Sequence, residues 1–302
     1  MNRLKRKDTI VTTIVAATSA TDTKFLWLDL TRKCQLSCTP CFNASGPDGT
    51  HGTMTRENWL RVLAQAAACG VRRVQLIGGE PTLHPDSLAV AERALSLGLR
   101  VEVYSNLVHV ADDWWALLQR EGASLATSYY SDQADEHNAV TGHPSHARTL
   151  ANIKKALGLG VPLRVGIVTT TATQRVPEAQ RELEVLGVKR ISIDHVRPFG
   201  RGAHGQAPDI SGLCGRCGSG RAAVGPDGSV SPCVFSAGWM GVGNVRSTPL
   251  ATILGSPAMA EVRASIHSAV AKGGDEDEDG CDPVGDGECS PGYPSSSCGP
   301  RN

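Results

Sequence analysis

Short apolar stretches alternate along the chain with longer segments whose apolar residues recur at helical spacing. The short stretches are bounded by Gly, Pro or polar residues and predict β-strands, whereas the longer ones predict helices. The predicted strands are 25–30, 71–77, 100–105, 124–129, 162–169 and 190–196. The predicted helices are 55–69, 86–97, 112–121, 146–157 and 177–186.

The first predicted helix, 55–69, has one apolar face and a capping residue at each end. Leu60, Leu63 and Ala67 fall on one face of it. Thr55 suits the N-terminal cap and Gly70 the C-terminal one. The segment therefore has a start, a stop and one face to bury.

The order of these elements predicts the fold. Strands that alternate with helices require right-handed crossovers and form a parallel sheet. Six strand–helix repeats are too few to close the eightfold TIM barrel, so we expect an α/β fold, a partial (β/α)6 TIM-like barrel. Its chemistry should lie at the C-terminal ends of the strands.

The character of the sequence changes after the last predicted strand. We predict an N-terminal tail at 1–23, the partial barrel at 24–200 and a small Cys-rich C-terminal extension at 201–302. The extension is rich in Gly, Pro and Ser and contains six of the ten cysteines. Its acidic segment, 273–280, is predicted to be a solvated linker.

Composition narrows the classes of function. The 302 residues are 40% hydrophobic and carry a formal net charge of zero. The absence of a basic excess argues against a nucleic-acid partner. No apolar run approaches the ~20 residues that a membrane helix needs, so we expect no membrane partner. We expect the protein to be cytoplasmic. In a cytoplasmic protein, ten cysteines indicate a metal or redox site.

Three cysteines follow the first predicted strand. Cys34, Cys38 and Cys41 are close enough for each to hold one iron of a 4Fe–4S cluster, which leaves the fourth iron without a protein ligand. A zinc site is the alternative, but zinc usually completes four protein ligands in structural sites. This C-x3-C-x2-C spacing resembles the signature of the radical S-adenosylmethionine (SAM) enzymes. The resemblance implies that SAM chelates the open iron and that its reductive cleavage yields a 5′-deoxyadenosyl radical.

A second motif strengthens the resemblance. Gly78, Gly79 and Glu80 end the second predicted strand, where the family has a Gly-Gly-Glu turn. The resemblance implies that the glycines let the backbone approach the methionine part of SAM and that Glu80 accepts hydrogen bonds from its ammonium group. Pro40 departs from the family, which usually has an aromatic residue there; Phe42 follows instead.

Further SAM contacts are implied by position. Asn106 ends the third predicted strand, where the family often contacts the ribose. Ser128 and Arg197 match positions that often help to bind SAM. The alternative for these two is that they satisfy backbone groups at strand ends. Cys69, at a helix end among alanines, is predicted to be a buried structural thiol.

The extension contains a second cysteine motif. Cys217, Gly228 and Cys233 have the spacing that opens the SPASM and twitch extensions of radical SAM enzymes, and Cys214 lies just upstream. The resemblance implies at least one auxiliary 4Fe–4S cluster; a structural zinc ribbon is the alternative. A Pro-Asp-Gly turn ending at Gly228 predicts a hairpin between the ligands.

The distal cysteines are assigned by counting. Cys289 and Cys298 are candidate auxiliary ligands. Cys281 follows the acidic linker and is the candidate hydrogen-atom donor to a substrate radical.

The substrate is the least determined feature. Our main expectation is an epimerase, or a dehydrogenase, acting on an aminosugar or aminoglycoside-type antibiotic. Peptide maturases often carry a separate leader-binding domain, and only 23 residues precede the predicted barrel. The loop after the fourth strand, with Asp132, Asp135, Glu136 and His137, could contact amino groups of a small molecule.

Two alternatives stay open. The first is a ribosomal peptide maturase that forms thioether or carbon–carbon crosslinks, or epimerises a residue of a precursor peptide. The second is a non-catalytic iron–sulfur sensor or scaffold, which would leave the Gly-Gly-Glu turn unexplained. An enzyme of either catalytic kind would need a reducing partner such as flavodoxin or ferredoxin.

Overall fold

The computed structural model describes residues 21–271, and its strands form one sheet. The strands are β1 (Phe25–Asp29), β2 (Arg73–Ile77), β3 (Arg100–Tyr104), β4 (Ala123–Tyr129), β5 (Leu163–Thr169), β6 (Arg190–His195), β7 (Arg221–Val224), β8 (Ser229–Ser231) and β9 (Gly243–Asn244). Their order is β6-β5-β4-β3-β2-β1-β7-β8-β9. Strands β1 to β6 are all parallel, and β6 and β9 are the sheet edges within the described part of the chain. The predicted unclosed barrel is confirmed.

The helices between residues 21 and 271 are α1 (Arg56–Ala68), α2 (Ser87–Ser96), α3 (Asp112–Leu118), α4 (Ala134–Thr141), α5 (His146–Gly158), α6 (Val176–Val185), α7 (Leu250–Leu254) and α8 (Pro257–Ala271). Five of them match the predicted ones, and α4, α7 and α8 were not predicted. The side chain of Thr55 caps α1 by accepting a hydrogen bond from the backbone of Asn58. Gly70 follows α1 with a φ of +94°, a conformation that favours glycine. Between residues 21 and 271, no helix is long and apolar enough to cross a membrane.

Alternate residues of the barrel strands face the helices on one side and the barrel interior on the other. Leu26 and Leu28 of β1 pack with Trp59 and Leu63 of α1 in the main hydrophobic core. The intervening positions of neighbouring strands are polar. Glu102 of β3 and Arg164 of β5 are both buried and are joined by hydrogen bonds of 2.7 and 2.9 Å. The barrel therefore has an apolar outside, covered by helices, and a polar interior.

The extension continues the barrel sheet rather than starting a separate one. β7 pairs in parallel with β1, so that Trp27 lies beside Ala223. β7 and β8 form the predicted antiparallel hairpin, and Gly228 in its turn has a φ of +85°. The pairing of β7 with β1 fixes the second cysteine motif beside the first strand of the barrel.

Several sequence predictions fall on residues outside the described part. They are most of the tail at 1–23, the linker at 273–280, and Cys281, Cys289 and Cys298. At the start of the described part, the backbone N–H of Thr21 donates to the carbonyl of Cys69. Cys69 itself is fully buried, as the sequence predicts, and its thiol donates to the carbonyl of Ala66.

Candidate active site

A cavity at the C-terminal ends of the strands brings together eight of the predicted site residues. They are Cys34, Cys38, Cys41, Gly78, Gly79, Asn106, Ser128 and Arg197. The cavity has a volume of about 140 Å³. These residues come from four strand ends and one loop, so the fold alone makes them neighbours.

The three barrel cysteines present free thiols to this cavity. Burial raises the pKa of Cys34 to about 12 and that of Cys38 to about 12 as well. A thiol so placed gives up its proton to solvent when its sulfur coordinates a metal ion, because the cation stabilises the thiolate. The donor set therefore fits a thiolate-bound iron–sulfur cluster.

The loop that carries these cysteines is fixed by contacts that the sequence did not indicate. Arg201 donates from Nε to the carbonyl of Cys38 at 2.7 Å, and its backbone N–H donates to the carbonyl of Cys41 at 2.9 Å. The guanidinium also favours the charged form of the Cys38 thiol. Arg201 therefore holds the cysteine loop from the far side of the cavity.

The glycine turn packs directly against the same loop. The backbone N–H of Gly79 donates to the carbonyl of Thr31, and that of Glu80 to the carbonyl of Lys33. A Cβ at Gly79 would lie 2.3 Å from the carbonyl oxygen of Lys33, far inside van der Waals contact. The two glycines are needed for this approach of two backbones, besides facing the cavity where SAM was predicted.

Glu80 lies behind the cavity wall and is fully buried. One carboxylate oxygen accepts hydrogen bonds from the backbone and hydroxyl of Thr82, and the other accepts from the backbone of Asn106. Burial nevertheless raises the pKa of the carboxyl above its ordinary value. In this structure Glu80 joins the glycine turn to the end of β3; its contact with the SAM ammonium stays a prediction.

The three remaining predicted SAM residues bond other side chains. The Asn106 amide exchanges hydrogen bonds with Gln35, and its Nδ2 lies 3.6 Å from the sulfur of Cys34. The hydroxyls of Ser128 and Tyr104 are 2.9 Å apart. Arg197 pairs with Asp194 at 2.8 Å. Their roles toward SAM stay predictions, although all three face the cavity.

The expected loop after β4 is wrong, because Asp135, Glu136 and His137 lie in α4. The signals for this helix were its acidic first turn and Gly142, which ends it in the left-handed conformation. His137 is buried and contributes to the cavity wall, and burial lowers the pKa of its imidazole to about 3. Asp132 precedes the helix and pairs with Arg175 instead of projecting freely.

The second cysteine motif also converges in space. The sulfur atoms of Cys217 and Cys233 are 3.1 Å apart with no disulfide between them, and both residues are buried. Cys214 packs against the same cluster of side chains. Hydrogen bonding to Cys214 and Cys233, together with burial, raises the pKa of Cys217 well above its ordinary value. Buried, converging thiols again fit a thiolate-bound metal centre.

Individual relatives and solved structures resemble parts of the chain. "PqqA peptide cyclase" of Methylobacterium nodulans is 29% identical over 178 residues, covering 58% of this chain and 47% of the relative. The chain thus spans about half the length of the curated relatives it matches.

Two solved structures share the fold. Streptococcus suis SuiB bound to the precursor peptide SuiA has a TM-score of 0.68 at 16% identity, over 80% of this chain and 67% of that one. The protein anSMEcpe, with bound AdoMet and the Cp18Cys peptide, has a TM-score of 0.63 at 15% identity, over 80% of this chain and 82% of that one.

Two family models match the chain. Residues 214–282 match SPASM, an iron–sulfur cluster-binding domain, which supports an iron–sulfur centre over a zinc ribbon. Residues 28–193, more than half of the chain, match the radical SAM superfamily. The chain therefore belongs to the radical SAM superfamily, with a SAM-binding 4Fe–4S cluster, an auxiliary iron–sulfur centre and SAM as its cofactors.

Proposed function

We propose that this protein crosslinks a peptide substrate by removing two hydrogens from it. The observation that carries the proposal is a cavity lined both by the barrel cysteines and by Phe235, two residues after the auxiliary ligand candidate Cys233. Similarity to a protein named as a peptide cyclase, and a fold shared with two peptide-bound proteins, support a peptide over an aminosugar. Peptide maturation, our alternative from sequence, thus replaces aminosugar epimerisation as the favoured function.

We assign separate residues to binding the first cluster, binding SAM and excluding water. Cys34, Cys38 and Cys41 would hold three irons of the first cluster, and Asn106 and Arg197 would contact SAM. When bound, the reduced cluster supplies the electron that splits SAM into methionine and a 5′-deoxyadenosyl radical. The cavity wall around His137 would keep water away from the reacting carbon, which limits side reactions of the radical.

The two hydrogens leave the peptide in different forms. One hydrogen atom leaves the peptide with the deoxyadenosyl group, which gives 5′-deoxyadenosine. A second leaves as a proton and an electron when the new bond within the peptide forms. Cys214, Cys217 and Cys233 would hold the auxiliary centre that accepts this electron, and flavodoxin or ferredoxin would supply the first one.

The test uses the anaerobically reconstituted full chain with SAM and dithionite. The probes are synthetic peptides copied from short reading frames beside this gene, and a panel of aminoglycosides. We expect a peptide lighter by two hydrogens and one 5′-deoxyadenosine for each product. The variant with Cys34, Cys38 and Cys41 all replaced by Ala should form neither.

Other outcomes would overturn the proposal. An aminoglycoside converted while every peptide is unchanged would restore the aminosugar reading. A peptide whose mass is unchanged after reaction in ordinary water, and which carries one deuterium after reaction in heavy water, would replace crosslinking by epimerisation. Release of 5′-deoxyadenosine by the triple-Ala variant would refute the role of the barrel cysteines.

A further inference from the structure

A second cavity adjoins the candidate active site and shares two of its walls. Phe42 and Phe235 line both cavities, so the two spaces are separated by little more than this pair of rings. The second cavity has a volume of about 270 Å³. We call it the side groove and define it by Phe42, Asn43, Phe199, Pro208, Phe235 and Trp239. It lies between the loop after Cys41 and the segment after Cys233.

The walls of the side groove are flat and aromatic. Phe199 stacks on Phe235 and on Trp239, with ring centroids 5.9 Å apart in each case. The indole N–H of Trp239 donates to the carbonyl of Phe235 at 3.0 Å, which holds the ring in place. Aromatic faces fixed in this way bury an apolar side chain with little further loss of conformational freedom.

Over residues 21–271, the charge of the groove gives strongly anionic ligands no free cation to bind. Arg32 is the one charged side chain among the described residues that line it. Its guanidinium pairs with the buried carboxylate of Asp29, so it is already neutralised. A neutral, apolar segment of a substrate therefore matches the groove better than a phosphate or a carboxylate does.

Asn43 gives the groove one donor. Its Oδ1 accepts hydrogen bonds from the backbone and hydroxyl of Ser45 and from the thiol of Cys41, and the backbone donor fixes which end of the amide faces Ser45. Its Nδ2 is buried and has no partner within the described structure. A buried donor without an acceptor costs about 1–3 kcal/mol, which a carbonyl from a bound peptide would offset.

We propose that the side groove binds an apolar residue of the peptide substrate that flanks the residue being modified. Its side chain would lie on the rings of Phe235 and Trp239, which pack on the buried ring of Phe199, and its backbone carbonyl would accept from Nδ2 of Asn43. This inference rests on the proposed function, because it assumes a peptide.

The test measures binding and needs no turnover. The cluster-containing protein is labelled with 5-fluorotryptophan, and the Trp239 signal in the ¹⁹F NMR spectrum is assigned with Trp239→Phe. The protein, saturated with SAM, is titrated with Ac-Gly-Phe-Gly-NH2 and with Ac-Gly-Asp-Gly-NH2. We expect a saturable shift of the Trp239 signal with the Phe peptide and at least tenfold weaker binding of the Asp peptide.

The Asn43→Ala variant tests the donor. Its affinity for the Phe peptide should fall about fivefold, as loss of about 1 kcal/mol predicts. Asn58→Ala is the matched control, because Asn58 lies on the exposed surface of α1 and bonds Arg61. No shift with the Phe peptide, or equal affinity of both variants, would overturn the assignment.

Failure of the groove and failure of the proposed function give different results. If the Phe peptide binds but no precursor peptide is modified, the proposed crosslinking function is refuted and the side groove remains a binding site. If wild type, Asn43→Ala and Trp239→Ala modify a precursor peptide with the same KM, the groove does not bind the substrate and the proposed function still holds.

Discussion

The Glu80 carboxylate accepts a hydrogen bond from the backbone N–H of Asn106 at 2.8 Å. This bond joins the glycine turn after β2 to the end of β3. Asn106 in turn contacts Gln35 and the sulfur of Cys34. One buried carboxylate therefore sets the positions of two cavity walls, independently of any contact that it makes with SAM.

Glu80→Gln should loosen both walls. An amide would turn its NH2 group toward a backbone donor, either that of Thr82 or that of Asn106, and leave it without an acceptor. We expect a loss of about 1–3 kcal/mol in the free energy of unfolding, measured by urea denaturation, with weaker SAM binding. The exposed Glu92→Gln on α2 is the control. Equal stability of the two variants would show that the buried bond contributes nothing.

Gly79→Ala should disturb the cysteine loop without changing any polar group. The added methyl carbon would lie 2.3 Å from the carbonyl oxygen of Lys33, so the backbones must separate. We expect a loss of about 1–3 kcal/mol in stability and less iron bound to the first cluster. Gly158→Ala is the matched control, because no heavy atom lies within 4 Å of its added carbon. Iron content and stability equal to those of the control would contradict this account.

The sequence predicted the barrel because its signals are local. Each strand from β1 to β6 is a short apolar run, and Thr55 and Gly70 mark the ends of α1 within the sequence. The first cysteine triplet and the glycine turn lie on loops between such strands, so strand order alone brought them together. This part of the site required no knowledge of long-range contacts.

The missed features depend on contacts between distant segments. The hairpin of β7 and β8 was predicted, but its parallel pairing with β1 was not, because the four residues of β7 are too few for a clear pattern. Arg201 reaches the carbonyl of Cys38 across 163 positions of the chain. The α4 helix has a mostly polar sequence, and its buried residue His137 was indistinguishable from a polar loop residue. Tertiary packing, rather than local propensity, decides each of these.

The buried pair Glu102 and Arg164 gives a test of the polar barrel interior. Burial would raise the pKa of Glu102, but the charge and hydrogen bonds of Arg164, with the hydrogen bond from Gln75, lower it below its ordinary value. Arg164→Met would leave this carboxylate buried without its cation. We expect a loss of about 3–5 kcal/mol in the free energy of unfolding at neutral pH. Replacing both residues, as Glu102→Leu with Arg164→Met, should restore most of it.

The sign of the pH dependence follows from the lowered pKa of Glu102. Its contribution to stability is fully present above the unfolded-state pKa of about 4.3 and is lost as the pH falls through the lower folded-state value. The wild type should therefore lose more stability than the double variant when urea denaturation is repeated below about pH 4. Parallel losses in the two proteins would show that Glu102 is not charged in the folded state.

The ring of Phe42, next to Cys41, packs edge-on against Phe235, two residues after Cys233, with centroids 5.1 Å apart. The two cysteine sites are thus neighbours, yet they should be separable by mutation. Replacing Cys214, Cys217 and Cys233 with Ala should remove about four irons per chain, the content of one cubane, and leave the barrel cluster. SAM should still yield 5′-deoxyadenosine, because the barrel cysteines are intact, while the crosslinked peptide should be lost because no centre accepts its electron.

Iron, zinc and sulfide analysis with product mass spectrometry checks this separation. Cys69→Ala is the control, since its thiol is buried beside α1 and bonds the carbonyl of Ala66. It should change neither the iron content nor the product. Single Cys217→Ser repeats the test in case the triple variant misfolds, because it keeps the size of the buried side chain and removes one thiolate. Unchanged iron with loss of zinc in both auxiliary variants would make this site a zinc ribbon, and the electron released on crosslinking would then need another acceptor.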